Sequence, residues 1–238
     1  MYRAIWLNSV KRAAMAFCIS RKTLDETAGF APDAVLVLAE NGHDHALRWQ
    51  RCNMAASNSP LRKLAEDGDV VLTFGHRNNK RPELVIAALG TLPVKPNLIV
   101  LGADGNYRDS LEESAQAYGV ADKVHFPGYV SDEEYQCLMM DADCVVLASS
   151  DEGFGLPVAE ALSLGRPVVV TSDSGLETTF ADSVRVAAPE HEAIGKAIAD
   201  ALAGRDVPSE YNAPSWTDTV VTVREAISAA IPECSIKV

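Results

Sequence analysis

Short apolar runs recur along the chain, and glycine, proline or asparagine bounds most of them. Runs that are apolar at almost every position are typical of strands buried on both faces, so each predicts a strand of a parallel sheet. The predicted strands are 16–19, 34–39, 70–74, 97–101, 123–126, 144–148, 167–171 and 184–186. Helical spacing fills the segments between them. The pattern therefore predicts the α/β class, with a doubly wound, Rossmann-like parallel sheet.

Capping residues mark the ends of the predicted helices. Ser20, Ser131 and Ser215 each precede a helical segment, where a serine oxygen can accept a hydrogen bond from the first turn. Pro157 suits the first turn of a helix, and Gly165 suits the position just past its end. The resulting helices are 107–118, 157–164, 190–203 and 215–230, and another is predicted to end at Leu89 before Gly90.

The first 22 residues differ in charge from the rest, because they carry five basic residues and no acidic one. Apolar residues there recur at steps of three and four, which predicts an amphipathic helix. These residues are Tyr2, Ile5, Trp6, Val10, Ala13 and Phe17. Packing on other protein is favoured over contact with anionic lipid. Lys11 and Arg12 interrupt the apolar stretch, which argues against a secretory signal.

Composition limits the classes of function. The 238 residues have a net charge of -12, which argues against nucleic-acid binding because neutralising phosphates needs clustered lysine and arginine. No apolar run is long enough to cross a bilayer. The five cysteines show no metal-ligand spacing and indicate reduced thiols of a cytoplasmic protein. The five histidines show no such spacing either, so structural or solvated roles are favoured for them.

Residues 149–165 carry the clearest candidate chemistry. A buried strand runs into a glycine loop, and the helix after it is apolar apart from Ser163 and Glu160. A buried carboxylate is costly unless something pairs with it, and no cation stands one turn away on this helix. Its partner is therefore a distant cation, a set of backbone donors, or a ligand with paired hydroxyls such as a ribose.

A second glutamate, Glu152, lies before the glycine loop. The amides of Phe154, Gly155 and Leu156 would lie at the positive end of the helix, where anionic groups are stabilised. Two acids and a set of amides at one helix start indicate a pocket for a nucleotide sugar.

Glu152 and Glu160 are separated by seven residues within the run Glu-Gly-Phe-Gly-Leu-Pro-Val-Ala-Glu-Ala, and Gly-Arg-Pro-Val-Val-Val follows. This run resembles the signature of the retaining GT-B glycosyltransferases of family 4, also called group 1. The alternative, a well-packed strand, loop and helix with an accidental glutamate, is disfavoured because the whole run matches. The resemblance implies that Glu152 contacts the donor sugar and Glu160 the ribose hydroxyls. It also implies that the loop approaches the sugar and the phosphate through Gly153, Phe154, Gly155 and Leu156.

A second loop points to phosphate. Gly75 follows the strand 70–74 and opens a loop that carries Arg77 and Lys80, and α/β proteins cradle phosphate in loops of this kind. The resemblance implies that Lys80 and Arg77 neutralise the donor diphosphate. The chain reads Lys-Arg-Pro at 80–82 where the family has Lys-Asn or Lys-Gly, so the cation that reaches the phosphate stays open. A solvated basic turn is the alternative.

Two further loops carry weaker signals. The resemblance implies that the nucleotide base lies against backbone groups of Gly128, Tyr129 and Val130. The Gly-x-x-Gly segment at 102–105 is interpreted as a tight turn rather than a phosphate contact. Glu177 is interpreted either as a residue that supports the site or as a solvated acid.

The resemblance also implies a division into domains. Asn-Gly-His-Asp at 41–44 resembles the Asn-Gly-Val-Asp turn with which the family leaves its N-terminal domain. We therefore expect residues 1–66 to be the last part of an acceptor domain with its linker, 67–213 to bind the donor, and 214–238 to form a helix that packs back across the domains. A partner chain would then supply the remainder of the acceptor domain, or the chain would form a homodimer.

The implied function is retaining transfer of a sugar from a nucleotide-diphospho-sugar to a glycan or lipid-linked acceptor, in polysaccharide or glycoconjugate biosynthesis. Neither a metal ion nor a cofactor is expected. The alternative is a non-catalytic nucleotide-sugar-binding module or an inactive remnant of such an enzyme. We expect the protein to be cytoplasmic, with peripheral contact of residues 1–22 at the inner face of the membrane as an alternative.

Overall fold

The computed structural model describes residues 8–49, 64, 67–204, 211 and 214–230. The strands are β1 Ala16–Cys18, β2 Leu36–Leu38, β3 Val70–Phe74, β4 Asn97–Leu101, β5 Val124–Gly128, β6 Cys144–Leu147, β7 Val168–Thr171 and β8 Arg185–Ala187. The labelled helices are α1 Arg21–Phe30, α2 Ala46–Trp49, α3 Pro82–Thr91, α4 Gly105–Ala117, α5 Asp132–Asp141, α6 Leu156–Ser163, α7 Leu176–Thr179, α8 His191–Gly204 and α9 Trp216–Ala230. Short 3-10 turns cover Asn78–Lys80 and Ala181–Ser183.

Contacts divide the chain into two compact units, His45–Tyr211 and a smaller one made of Met1–Asp44 with Asn212–Val238. The first break comes at 44 because Ala46 and Trp49 are buried in a core cluster of the larger unit. The roles expected for the segments 1–66, 67–213 and 214–238 stay predictions.

The larger unit contains a six-stranded sheet in the order β5-β4-β3-β6-β7-β8, and neighbouring strands are parallel. Strands β3, β4, β6 and β7 are buried at every position, as their continuous apolar runs predict. Side chains alternate between two cores. Leu72 packs in the cluster that contains α5 and α6, and Val71 in the cluster that contains α3 and α8. The predicted α/β, doubly wound fold is confirmed.

The strand order places a switch point between β3 and β6. From β3 the chain proceeds outward through β4 and β5, and it then returns to pair β6 on the other side of β3. Ligands of open α/β sheets bind at the carboxyl ends of strands where the order reverses in this way. The loops after β3 and β6, which carry Lys80 and Glu152, start at this point.

The smaller unit pairs β1 with β2 in parallel and caps α1 with Ser20, whose hydroxyl accepts from the Thr23 amide at 3.2 Å. The amphipathic helix predicted from the spacing of apolar residues up to Phe17 is wrong at its end. Residues 8–12 are helical, and Phe17 lies in β1 opposite Val37. Strand pairing replaces the helix there. Residues 1–7 lie outside the described part of the chain.

Helix ends follow their predicted caps in most places. The amides of Glu134 and Asp218 donate to the hydroxyls of Ser131 and Ser215, at 3.2 and 3.1 Å, which confirms both predicted starts. The predicted stop at Gly90 is wrong, because α3 continues through this glycine to Thr91. A Cβ at Gly90 would lie 3.3 Å from the Tyr118 Cβ, so the glycine serves close packing instead.

The structure also bears on membrane-spanning helices and on the state of the cysteines. In the described ranges, no helix is long and apolar enough to cross a membrane. Cys18, Cys137 and Cys144 are free thiols in buried positions. Burial raises the pKa of the Cys144 thiol to about 12, so this thiol stays protonated at neutral pH.

Candidate functional site

The carboxyl ends of β3 and β6 bring a lysine and a glutamate together. Lys80, in the 3-10 turn after β3, donates from Nζ to Oε1 of Glu152 in the loop after β6. The Ser149 hydroxyl donates to the same oxygen at 2.6 Å. The side chains of Lys80 and Glu152 are 9% and 12% exposed, so each charge is largely withdrawn from water and compensated by the other.

Arg81 holds the loop after β3 against the ends of β6 and β7. Its guanidinium donates to the backbone oxygens of Ala148 and Ser149 at 2.6 and 2.9 Å, and to both carboxylate oxygens of Asp173 at 2.9 and 2.6 Å. This hydrogen bonding lowers the pKa of Asp173. Arg81 itself has a φ of +46°, a left-handed conformation that suits glycine or asparagine. The arginine that departs from the family pattern is thus bound to protein.

The other cation of the loop, Arg77, is exposed to solvent. Its side chain makes no hydrogen bond or ion pair within the part of the chain that the structure describes. Its neighbour His76 has a lowered pKa, first because of burial and then because of the charges of Lys80 and Arg77. The exposed guanidinium of Arg77 lies in the same loop as the buried lysine and leaves this loop end positively charged.

Glu160, on α6, is 7% exposed and has two partners that the sequence did not identify. His45 Nε2 lies 2.9 Å from Oε1, and the Tyr135 hydroxyl donates to Oε2 at 2.5 Å. Burial and the Glu160 charge raise the pKa of Tyr135, so its hydroxyl stays a donor. The His45 ring thus has a structural contact with Glu160, which is one of the two roles expected for it.

Rings surround this carboxylate. The Tyr135 ring contacts those of Trp49 and Phe74, with centroid distances of 5.8 and 6.4 Å. His45 packs on Trp49 at 5.5 Å in an edge-to-face arrangement. These four residues, His45, Trp49, Phe74 and Tyr135, are called the aromatic frame below. The members of the frame come from three segments, His45 and Trp49 at 45–49, Phe74 at the end of β3 and Tyr135 in α5, so local sequence does not show that they meet.

Next to the frame is a cavity of about 200 Å³ at the ends of β3, β4 and β5. Its walls are Phe74, His76, Leu101, Gly102, Gly128, Tyr129, Val130, Asp132 and Tyr135. The turn 128–130, expected to contact the nucleotide base, therefore borders the same space as Tyr135. Gly102 has a φ of +76°, and a Cβ there would lie 2.9 Å from the His76 Cβ, so the segment 102–105 is a turn that packs closely on its neighbour.

The glycine loop between the two glutamates depends on close approach. Gly155 precedes α6 with a φ of +83°, and a Cβ there would lie 2.4 Å from Leu176 Cδ2. Phe154 is buried and packs on Phe180 at 5.7 Å, so a ligand contact from this residue would come from its backbone. Gly153 and Leu156 beside them are half-buried.

Two further predicted residues occupy supporting positions. Gly75 approaches the β4 end closely, since a Cβ there would lie 3.0 Å from Ala103 Cβ and from Val100 Cγ1. Glu177 accepts from the Ser174 hydroxyl at 3.1 Å, and the backbone oxygen of Ser174 accepts from the Glu152 amide at 2.9 Å. Glu177 is therefore linked to the glutamate loop through one serine.

Within the described ranges, no group of three or more histidine, cysteine, aspartate or glutamate side chains could hold a metal ion. Two ion pairs, Lys80 with Glu152 and Arg81 with Asp173, lie at the strand ends instead. A doubly wound parallel sheet, a cationic loop after β3, and two buried glutamates around the loop after β6 define the donor-side half of a GT-B glycosyltransferase.

Comparison with known proteins agrees with that class. The family model described as "Glycosyl transferases group 1" matches residues 59–213. The chain belongs to this family.

Two curated relatives show how much of such proteins the chain covers. It is 31% identical over 183 residues to the D-inositol 3-phosphate glycosyltransferase of Mycobacteroides abscessus, which is 71% of this chain and 41% of the relative. It is 28% identical over 222 residues to the GDP-mannose:cellobiosyl-diphosphopolyprenol alpha-mannosyltransferase of Komagataeibacter xylinus, which is 84% of this chain and 54% of the relative. The chain thus spans about half the length of these two relatives.

A solved structure shows the same fold. The Anabaena protein Alr3699/HepE, in complex with UDP and glucose, superposes with a TM-score of 0.74 at 20% identity. The match covers 95% of this chain and 66% of that one. At this identity the similarity establishes the fold alone.

Proposed function

We propose that residues 45–211 bind a nucleotide-diphospho-sugar, and that the protein is a retaining glycosyltransferase acting on a glycan or lipid-linked acceptor. One observation carries this proposal. A single loop and helix carry both glutamates. Glu152 contacts Lys80 in the loop 75–80, called the phosphate loop below, and Glu160 contacts Tyr135, which lines the cavity beside the turn 128–130. The two ends suit the two ends of a nucleotide sugar, a diphosphate with its hexose and a ribose with its base.

Charge is the main contribution of the phosphate loop. In the proposed reaction the bond between the anomeric carbon and the diphosphate oxygen breaks, and negative charge builds up on the leaving diphosphate. Lys80 stabilises that charge from a largely buried position, where a preorganised cation needs little reorganisation, and the exposed Arg77 adds a second positive charge. The amides of Phe154, Gly155 and Leu156 add to this stabilisation at the start of α6.

The acceptor hydroxyl attacks the same face of the sugar that the diphosphate leaves. Its proton passes to the diphosphate oxygen, and its oxygen bonds to the anomeric carbon, so the configuration is retained. Glu152 orients the donor sugar in this scheme. An ammonium between Glu152 and the diphosphate would link the position of the sugar to that of the leaving group.

The names of the relatives support a donor of this class but differ in the base. The Komagataeibacter relative is named for GDP-mannose, and the Anabaena structure contains UDP. The two curated relatives also differ in the second compound that their names contain. The Komagataeibacter name contains cellobiosyl-diphosphopolyprenol, and the Mycobacteroides name contains D-inositol 3-phosphate. Base, sugar and acceptor are therefore left to experiment. Membrane contact, a partner chain and a cytoplasmic location stay predictions.

Calorimetric titration of the purified chain with UDP, GDP, ADP and their common sugars tests the proposal. We expect one nucleotide to bind, and Glu160→Gln to weaken it at least about tenfold, since hydrogen bonds to charged groups contribute about 1.5–3 kcal/mol. Glu112→Gln is the matched control, because Glu112 pairs with Arg108 on the exposed surface of α4. If the folded wild-type chain binds none of these ligands, the proposed donor site is wrong.

A further inference from the structure

The Glu160 carboxylate is already oriented by protein. Within the described residues, two side chains hydrogen-bond to it, one on each oxygen: His45 on Oε1 and Tyr135 on Oε2. An ionised carboxylate has about four acceptor positions, two on each oxygen. About one position on each oxygen is therefore left for a ligand, which matches the two neighbouring hydroxyls of a ribose.

The two donors have little freedom to move. The ring of Tyr135 packs against Trp49 and Phe74, and the ring of His45 packs against Trp49. Rings packed in this way keep few rotamers, so the aromatic frame sets the plane of the carboxylate before a ligand arrives. Preorganisation of this kind lowers the entropy cost of binding.

We propose that Tyr135 and His45 are positioning residues that turn Glu160 into a receptor for the ribose diol, so that donor affinity depends on both ribose hydroxyls. This inference rests on the proposed function, since it specifies how the donor site recognises its nucleotide. Tyr135 also borders the cavity beside Gly128, Tyr129 and Val130. One side chain thus joins the space assigned to the base to the glutamate assigned to the ribose.

A competing explanation is purely structural. Burying a carboxylate is unfavourable without donors, so the phenol and imidazole could serve only to compensate Glu160 within the fold. That role would change stability and would affect all nucleotides to the same degree. The positioning role affects only ligands that have ribose hydroxyls, and this difference decides between the two.

The experiment compares each ribonucleoside diphosphate with its 2′,3′-dideoxy analogue by calorimetric titration. The proteins are the wild-type chain, Tyr135→Phe, Glu160→Gln and the control Tyr107→Phe. The Tyr107 hydroxyl donates to Glu83 at 3.1 Å, and neither residue lines this cavity. For the nucleotide that binds, the wild-type chain should prefer the ribose form at least about tenfold, as expected for hydrogen bonds to a charged group.

In Tyr135→Phe, which keeps the ring, we expect that preference to fall at least about threefold while affinity for the dideoxy form is unchanged. Tyr107→Phe should keep the wild-type preference. If Tyr135→Phe weakens both forms equally, or changes neither, the positioning role is wrong and the donor site stands. If the wild-type chain binds no nucleotide, the proposed function is wrong and the inference falls with it.

His45 provides a second test, because this residue, unlike Tyr135, does not line the cavity. His45→Gln keeps a nitrogen donor at similar reach, whereas His45→Ala removes it. We expect the glutamine variant to keep most of the preference for ribose and the alanine variant to lose part of it. Equal preference in the two variants would contradict a positioning role for His45. Circular dichroism of each variant establishes that the folded chain is being titrated.

Discussion

Glu152 and Glu160 are two buried carboxylates separated by seven residues, yet they are compensated in different ways. Glu152 is bound by the Lys80 ammonium and the Ser149 hydroxyl. Glu160 is bound by a phenol and an imidazole in an aromatic frame, and no lysine or arginine side chain of the described residues contacts it. Coulomb attraction neutralises the first, whereas directed hydrogen bonds hold the second in place.

This difference suggests how each end of the site responds to a ligand. A diphosphate would compete with Glu152 for the Lys80 ammonium, so binding there exchanges one anion for another around the same cation. A ribose would only add hydrogen bonds at Glu160. Changes at the ion pair should therefore affect stability and binding together, and changes at the frame should affect selectivity for the ribose.

The largest effect is expected from breaking the ion pair. Lys80→Met removes the ammonium that binds the buried Glu152, so the free energy of unfolding should fall by about 3 kcal/mol or more, and donor binding should be lost. The double variant Lys80→Met/Glu152→Gln should lose less stability than the two single variants together. Urea unfolding of the four proteins measures this coupling.

The exposed pair of Arg108 and Glu112 is the matched control, because its side chains are 45% and 42% exposed. A double-mutant cycle at this pair should give a coupling free energy below about 1 kcal/mol, as for most surface ion pairs. A coupling between Lys80 and Glu152 as small as that of the control would contradict the charge-compensated interpretation of Glu152.

A smaller effect is expected from the loop that joins the two glutamates. Gly155→Ala places a Cβ at a φ of +83° and 2.4 Å from the buried Leu176, so it should cost about 2–4 kcal/mol. Gly165→Ala meets a φ of +68° but has nothing within 4 Å, so it should cost about 1–2 kcal/mol. Thermal unfolding compares them, and equal losses would show that Leu176 moves aside freely.

The smallest effect is expected from the ion pair between Arg81 and Asp173, which supports only the loop that carries Lys80. The Asp173 side chain is 40% exposed, so water screens its charge and Asp173→Asn should cost at most about 1 kcal/mol at pH 7. Because the folded pKa lies below the unfolded one, the unfolded chain binds more protons in acid. The contribution is thus full above about pH 4 and is lost as the pH falls through the lowered pKa.

Unfolding curves between pH 7 and pH 3 measure this loss. The difference in the free energy of unfolding between wild type and Asp173→Asn should shrink toward acid. If the difference in unfolding free energy stays constant down to pH 3, the charge of Asp173 does not contribute to stability through its ion pair with Arg81.

Local sequence was sufficient where local physics decides. The runs at 70–74, 97–101 and 144–148 are apolar at nearly every position, and a strand buried on both faces is the way to bury such a run within a sheet. Serine caps such as Ser131 depend on the residues of one turn, and the structure confirms them. Local rules failed at Gly90 and Phe17, where a packing contact and a strand partner overrode the pattern.

By itself the sequence determined the α/β class, the order of strands and helices along the chain, and the run with two glutamates that marks the family. Tertiary structure alone decided what each charged group touches. Glu160 meets His45 across 115 positions, and Arg81 reaches Asp173 across 92. Secondary structure follows from neighbours within a few residues, but the compensation of a buried charge depends on which side chains the folded sheet brings within hydrogen-bond distance.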